Sequence, residues 1–312
     1  MSLPSSVPDP AFSIPPLALT LLGVSAVLHA SWNLLGKRGR PSLAFFNLAM
    51  LYGGLLYLPI LLWSGWSISQ TPMAFWGWLA ASGLCQALYM GGLAWAYARG
   101  DISLLYPLAR ALPVVMVPVV GLMLALEPWP SGLHLTGFML IMLGALLMPR
   151  GSRVPTSSRV TLPALGFVLL AALGTTGYSL VDKQAVDVLG VSGMSAIQAG
   201  ASFMVLQALA SAAWMLPIVA LIPDERREMR LILRQIDMWP CLTGIMMMGT
   251  YGLVLVAMAM SSNVSQVVAL RQLSIPIGVL LGILYLGERP GGWRLAGLAI
   301  LLSGLVMVAW PS

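Results

Sequence analysis

About ten apolar runs, none shorter than 19 residues, follow one another along this chain, and they limit its folds more than any motif does. Their limits read 14–36, 42–63, 73–98, 102–126, 131–149, 161–182, 192–222, 237–260, 263–286 and 292–310, with breaks at Gly, Pro and charge clusters. At 1.5 Å per residue, each run reaches across ~30 Å of hydrocarbon as a helix. Barrel strands are excluded, because they alternate over about ten residues and these runs are continuous. Only 8% of the 312 residues are charged, against roughly 25% in a soluble domain. The expected fold class is therefore all-α integral membrane, with ten transmembrane helices and the lipid bilayer as solvent. No stretch is left over for a soluble domain.

The formal charge of +6 reads as topology rather than as an affinity for nucleic acid. Thirteen of the sixteen basic residues fall in the loops after runs 1, 3, 5, 7 and 9, among them Lys37, Arg38, Arg40, Arg99, Arg150, Arg226, Arg230 and Arg289. The opposite side has Lys183 alone, and Arg110 and Arg271 lie inside runs. By the positive-inside rule, both termini are expected outside the cytoplasm of a multi-pass protein of the bacterial inner membrane. Residues 1–13 lack Lys and Arg, so the first run reads as a retained helix rather than a signal peptide. Cys85 and Cys241 lie in apolar runs without CxxC spacing, which argues against a disulfide framework or zinc site.

The chain repeats itself. YPLARALPVVMVPVVGLMLALEPW (106–129) shifted by 161 places Arg110 on Arg271, Gly121 on Gly282 and Glu127 on Glu288. A weaker match sets WNLLGK (32–37) over YSLVDK (178–183). Two five-helix units follow, 14–149 and 161–310, joined by the polar linker at 150–160. An odd number of spans per unit inverts the second copy, so the architecture expected is two inverted five-helix repeats, a recurring plan of secondary transporters.

This arrangement resembles the EamA branch of the drug/metabolite transporter superfamily. The likeness rests on ALRQLSIPIGVLLGILYLGERP (269–290) and LHASWNLLGKR (28–38), and extends over about 15–310; the first-half LALEPW (124–129) departs from it with Pro128 where the second copy has Arg289. The resemblance implies a transporter of small metabolites, often amino acids and often an exporter, with aromatic amino-acid exporters among its members.

An intramembrane charge costs ~2.5–3.5 kcal/mol on insertion scales, so Arg110 and Arg271 need a partner or a role. Two readings stand: a structural or gating tie to a neighbouring helix, or contact with a substrate carboxylate. Glu127 and Glu288, at run ends, read as helix-packing groups. Ser25, His29, Trp32, Asn33 and Gly36 share one face of the first helix, a polar stripe that points to a cavity or partner helix. His29 can carry a proton near neutral pH, and His134 reads as interfacial. Gln86 and Tyr89 share a face of the third helix, Met248 and Tyr251 one of the eighth, and the weaker repeat pairs Trp32 with Tyr178. Together His29, Trp32, Asn33, Gln86, Tyr89, Tyr178, Met248 and Tyr251 form the expected substrate site, an aromatic cavity suited to a zwitterion with an apolar side chain. The competing reading places Trp and Tyr in interface belts, which suits Trp63, Trp239, Trp293 and Trp310 better than mid-run Tyr89 and Tyr251.

No Walker loop, HExxH or metal cluster occurs, so no cofactor and no ATP are expected. The function expected is export of amino acids or related zwitterions from the cytoplasm by alternating access, by a chain that acts as a monomer. Proton-coupled or facilitative uptake of an amine or other small solute is the alternative. A lipid-modifying membrane enzyme needs convergent acids, bases or metal ligands that the scattered carboxylates do not offer, so no enzyme is expected.

Overall fold

The computed structural model describes residues 14–35, 42–99, 102–151, 161–286 and 290–310. All regular structure among them is helical: α1 (Pro16–Leu35), α2 (Leu43–Leu56), α3 (Pro59–Trp63), α4 (Met73–Tyr97), α5 (Ile102–Met123), α6 (Gly132–Leu147), α7 (Leu162–Val191), α8 (Ala196–Leu221), α9 (Pro223–Gln235), α10 (Trp239–Met260), α11 (Val264–Leu270), α12 (Ser274–Leu286) and α13 (Gly292–Ala309). Among the described residues, six spans are long and apolar enough to cross a membrane: Leu43–Trp63, Leu162–Val191, Ala196–Leu221, Trp239–Met260, Val264–Tyr285 and Gly292–Ala309. Three shorter apolar helices, Pro16–Ser31, Pro107–Met123 and Gly132–Leu147, accompany them. The chain is an all-α protein of multi-pass membrane type.

Besides the turn that separates α2 from α3 within the run 42–63, the helices differ from the apolar runs in three places. α7 continues to Val191 rather than ending at 182. Asp182 and Lys183 thus lie within the helix, and Lys183 pairs with Asp187 one turn on (2.5 Å) instead of marking a loop. Residues 223–235, polar enough to read as a loop, form the amphipathic α9, with Asp224 and Glu225 in its first turn and Arg234 in its last, as the helix dipole favours. The run 263–286 is broken by a 3-10 turn at Arg271–Leu273. Pro276 has no N–H for the Gln272 carbonyl four residues back, which loosens the α-helical pattern there.

Small residues set the closest helix crossings. α6 packs along α13, with Gly137 against Gly304 and Gly144 against Gly297. A methyl on Gly144 would stand 2.5 Å from the Gly297 carbonyl oxygen, and one on Gly297 2.6 Å from that of Gly144. α2 meets α10 through Gly53 and Gly244, and α4 meets α8 through Gly83. This is how membrane helices associate when apolar surface alone gives no preference for protein over lipid.

Two carboxylates at helix ends cap neighbouring helices. Glu225 Oε2 accepts from Ala44 N (2.9 Å) in the first turn of α2, and its Oε1 accepts from Trp95 Nε1 (3.1 Å). Glu127 Oε1 accepts from Ser265 N (2.8 Å) in the first turn of α11, and its other oxygen accepts from the Ser265 hydroxyl. The turn that carries Glu127 there uses a left-handed Ala125 (φ 53°), and Glu127 then packs against Gly121. Burial pushes the Glu127 carboxyl above the usual range, opposed by the Ser265 hydrogen bonds. Glu225→Ala removes one such cap and orphans two donors, so a loss of about 1–2 kcal/mol in thermal unfolding is expected. An unchanged midpoint would show that water replaces the carboxylate.

Candidate functional site

The mid-helix polar groups gather where α4, α5, α7 and α10 meet the broken span α11–α12. Tyr178 of α7 stands between two other tyrosines. Its ring meets Tyr89 of α4 edge-on at 5.8 Å and Tyr251 of α10 at 5.7 Å. The arrangement is the edge-to-face packing that aromatic quadrupoles prefer. Arg271, the first residue of the 3-10 turn, lies over the Tyr251 ring at 5.1 Å.

Behind the tyrosines lies a group the sequence reading does not single out. Asp182 is fully buried in α7. One carboxylate oxygen accepts from the Ser82 hydroxyl of α4; the other accepts from Tyr251 Oη (2.5 Å) of α10 and Gln207 Nε2 (3.1 Å) of α8. Four helices are thus tied at one carboxylate. The available signal was its place in YSLVDK, the repeat segment, one turn from Tyr178 on the same helical face.

Arg110 of α5 is engaged differently. Nη1 donates to His29 Nε2 (2.8 Å), Nε to Gln272 Oε1 (3.3 Å), and Nη2 to Ser274 Oγ (3.0 Å) and the Arg271 carbonyl (3.4 Å). A guanidinium can only donate, so His29 accepts at Nε2 and carries its proton on Nδ1 as neutral imidazole. Arg110 therefore fastens α1 and α5 to the turn that carries Arg271.

Between the two arginines lies a cavity of about 30 Å³, room for one or two waters. Its lining includes Tyr89, Tyr178, Arg110, Arg271, Thr175 and Gln272. Anything larger needs the surrounding helices to part.

Of the residues singled out by sequence, Tyr89, Tyr178, Tyr251, Arg110 and Arg271 come together here, and His29 reaches the group through Arg110. Gln86 is buried on α4 but is not among the cavity residues. Met248 packs against Gly53 where α2 crosses α10, away from the cavity. Glu127 caps α11 instead. The side chains of Trp32 and Asn33, and Glu288 altogether, lie outside the described residues. His134, in the first turn of α6, is wholly buried, held by Ser131 (3.0 Å) and within 3.2 Å of the Trp310 carbonyl. Trp63, Trp239, Trp293 and Trp310 are exposed near helix ends.

No family model matches the chain, and no curated protein matches it. Among solved structures, one described as "Crystal structure of protein" superposes with a TM-score of 0.64 at 16% identity, covering 94% of this chain and 96% of that one. The likeness is one of fold.

Proposed function

We propose that this chain is a secondary transporter of the EamA type, moving amino acids or related zwitterions out of the cytoplasm by alternating access. In this reading ten spans form two inverted five-helix units. The first comprises α1, α2 with α3, α4, α5 and α6; the second comprises α7, α8, α10, α11 with α12, and α13. The amphipathic α9 lies on the cytoplasmic face of a bacterial inner membrane.

The observation that carries this reading is the order of helix packing. Exchanging each span with its counterpart in the other unit carries the most extensive helix pairings onto packed pairs. α4–α7 becomes α10–α1, α5–α7 becomes α12–α1, α4–α8 becomes α10–α2, while α2–α8 and α6–α13 map onto themselves. The glycine contacts between α6 and α13 obey the same exchange, since Gly137–Gly304 becomes Gly297–Gly144 at a shift of 160. Transporters built from inverted repeats carry their substrate site between the repeats near the midplane. The Tyr–Arg cavity draws α4 and α5 from one unit, and α7 and the α11–α12 turn from the other.

Counterflow in proteoliposomes tests it, using neutral amino acids, amines and nucleosides with and without a pH gradient. Exchange of a labelled neutral amino acid is expected. Failure of every solute to exchange under every gradient removes the transporter reading.

A further inference from the structure

The twin arginines line one cavity but are chemically unequal. Arg110 distributes its N–H groups over His29, Gln272, Ser274 and a backbone carbonyl. Arg271 Nη1 is buried and has no hydrogen-bond partner. The nearest buried carboxylate does not serve it, because Asp182 turns its oxygens to Ser82, Gln207 and Tyr251. The Tyr251 ring below the guanidinium offers its π face to the charge, which leaves the in-plane N–H groups of Nη1 unanswered. Buried donors are nearly always paired, and a lone one on a cavity-lining residue calls for an acceptor from outside the chain, a water or a ligand.

We propose that Arg271 is the carboxylate-binding residue of this cavity, taking a free α-carboxylate at Nη1 while Tyr89 and Tyr178 pack the ligand's apolar side chain. The ligand class is a neutral amino acid with an apolar or aromatic side chain, recognised first by its carboxylate. This rests on the transporter reading and narrows it: amines without a carboxylate are excluded as principal cargo. Guanidinium meets carboxylate in a forked geometry that an ammonium cannot reproduce, so Lys is a poor replacement. The phenol of Tyr178 and the ring of Tyr251 hold the guanidinium from two sides, which restricts its orientation before the ligand arrives.

Thermal unfolding of the full chain in detergent, with l-phenylalanine, l-phenylalaninamide and phenethylamine as probes, tests the proposal. A parallel series uses l-leucine and l-leucinamide. Phenylalanine and leucine are expected to protect the protein at millimolar concentration, each roughly tenfold or more tighter than its amide, the factor that one lost charge-assisted hydrogen bond confers. In Arg271→Gln, acid and amide are expected to become equivalent; Arg271→Lys keeps only part of the preference. Should Arg271→Gln fail to fold, the ligand series on the unaltered protein carries the test alone. Equal protection by acid and amide, a preference that survives in Arg271→Gln, or no protection by either amino acid overturns the assignment. Counterflow with the same pairs separates the two readings. Protection without flux leaves the site and removes the transporter, whereas flux of acid and amide alike removes the site and leaves the transporter.

Discussion

Replacing Asp182 by Ala is expected to be among the most damaging single changes in this chain. The side chain is fully buried, and its two oxygens answer donors from three other helices, Ser82, Gln207 and Tyr251. Truncation leaves those donors without an acceptor, and each orphaned buried group costs about 1–3 kcal/mol. The sum approaches the whole stability of many folded domains, about 5–15 kcal/mol. Size-exclusion profiles after stepwise heating should therefore show Asp182→Ala aggregating well below the parent, with Asp182→Asn intermediate because the amide keeps one acceptor. Asp187→Ala is the comparison. It breaks only the i,i+4 pair of a partly exposed residue with Lys183, so a change within about 1 kcal/mol is expected. If Asp182→Ala and Asp187→Ala behave alike, the carboxylate does not tie the four helices.

The second large effect is expected at the α6–α13 crossing. In Gly144→Leu the new Cβ would lie 2.5 Å from the Gly297 carbonyl oxygen and 2.6 Å from the Leu301 nitrogen. Both neighbours are backbone, which cannot swing aside as a side chain does. Overpacking against yielding side chains already costs about 1–3 kcal/mol, and here the whole helix must retreat. Gly144→Leu should accumulate poorly in the membrane fraction and unfold early on heating. Gly166→Leu in α7, where an added Cβ meets nothing within 4 Å, should match the parent. Equal yields and midpoints for the two would show that α6 and α13 separate at little cost.

The apolar runs make the helices legible because a bilayer imposes one length on every span, and that length can be counted along the sequence. Arg110 and Arg271 stand out for the same reason: charge is conspicuous in oil. The mistakes come from treating charge as a boundary. Asp182–Lys183 looks like the end of a helix, yet the partners that admit Asp182 to the interior lie 100, 25 and 69 residues away along the chain, where no local pattern reveals them. α9 is missed because its polar side chains outnumber the buried face carrying Glu225 and Ile232. Tyr89 and Tyr251 are recoverable because a tyrosine far from a helix end escapes the interface-belt explanation. Met248 misleads because a buried methionine in a membrane helix looks the same whether it faces a cavity or fills a helix crossing.

The tie at Asp182 also sets an order of events during synthesis. Ser82 is already in the membrane when α7 emerges from the ribosome, but Tyr251 follows Asp182 by 69 residues. At 5–20 residues per second that is a wait of roughly 3–14 s. Through that interval α7 holds an ionisable group whose acceptor capacity is only partly used, so the insertion machinery, or the growing face of α4, has to shelter it from lipid. A nascent chain arrested before α10 is therefore the form in which α7 is most apt to slip back out of the bilayer.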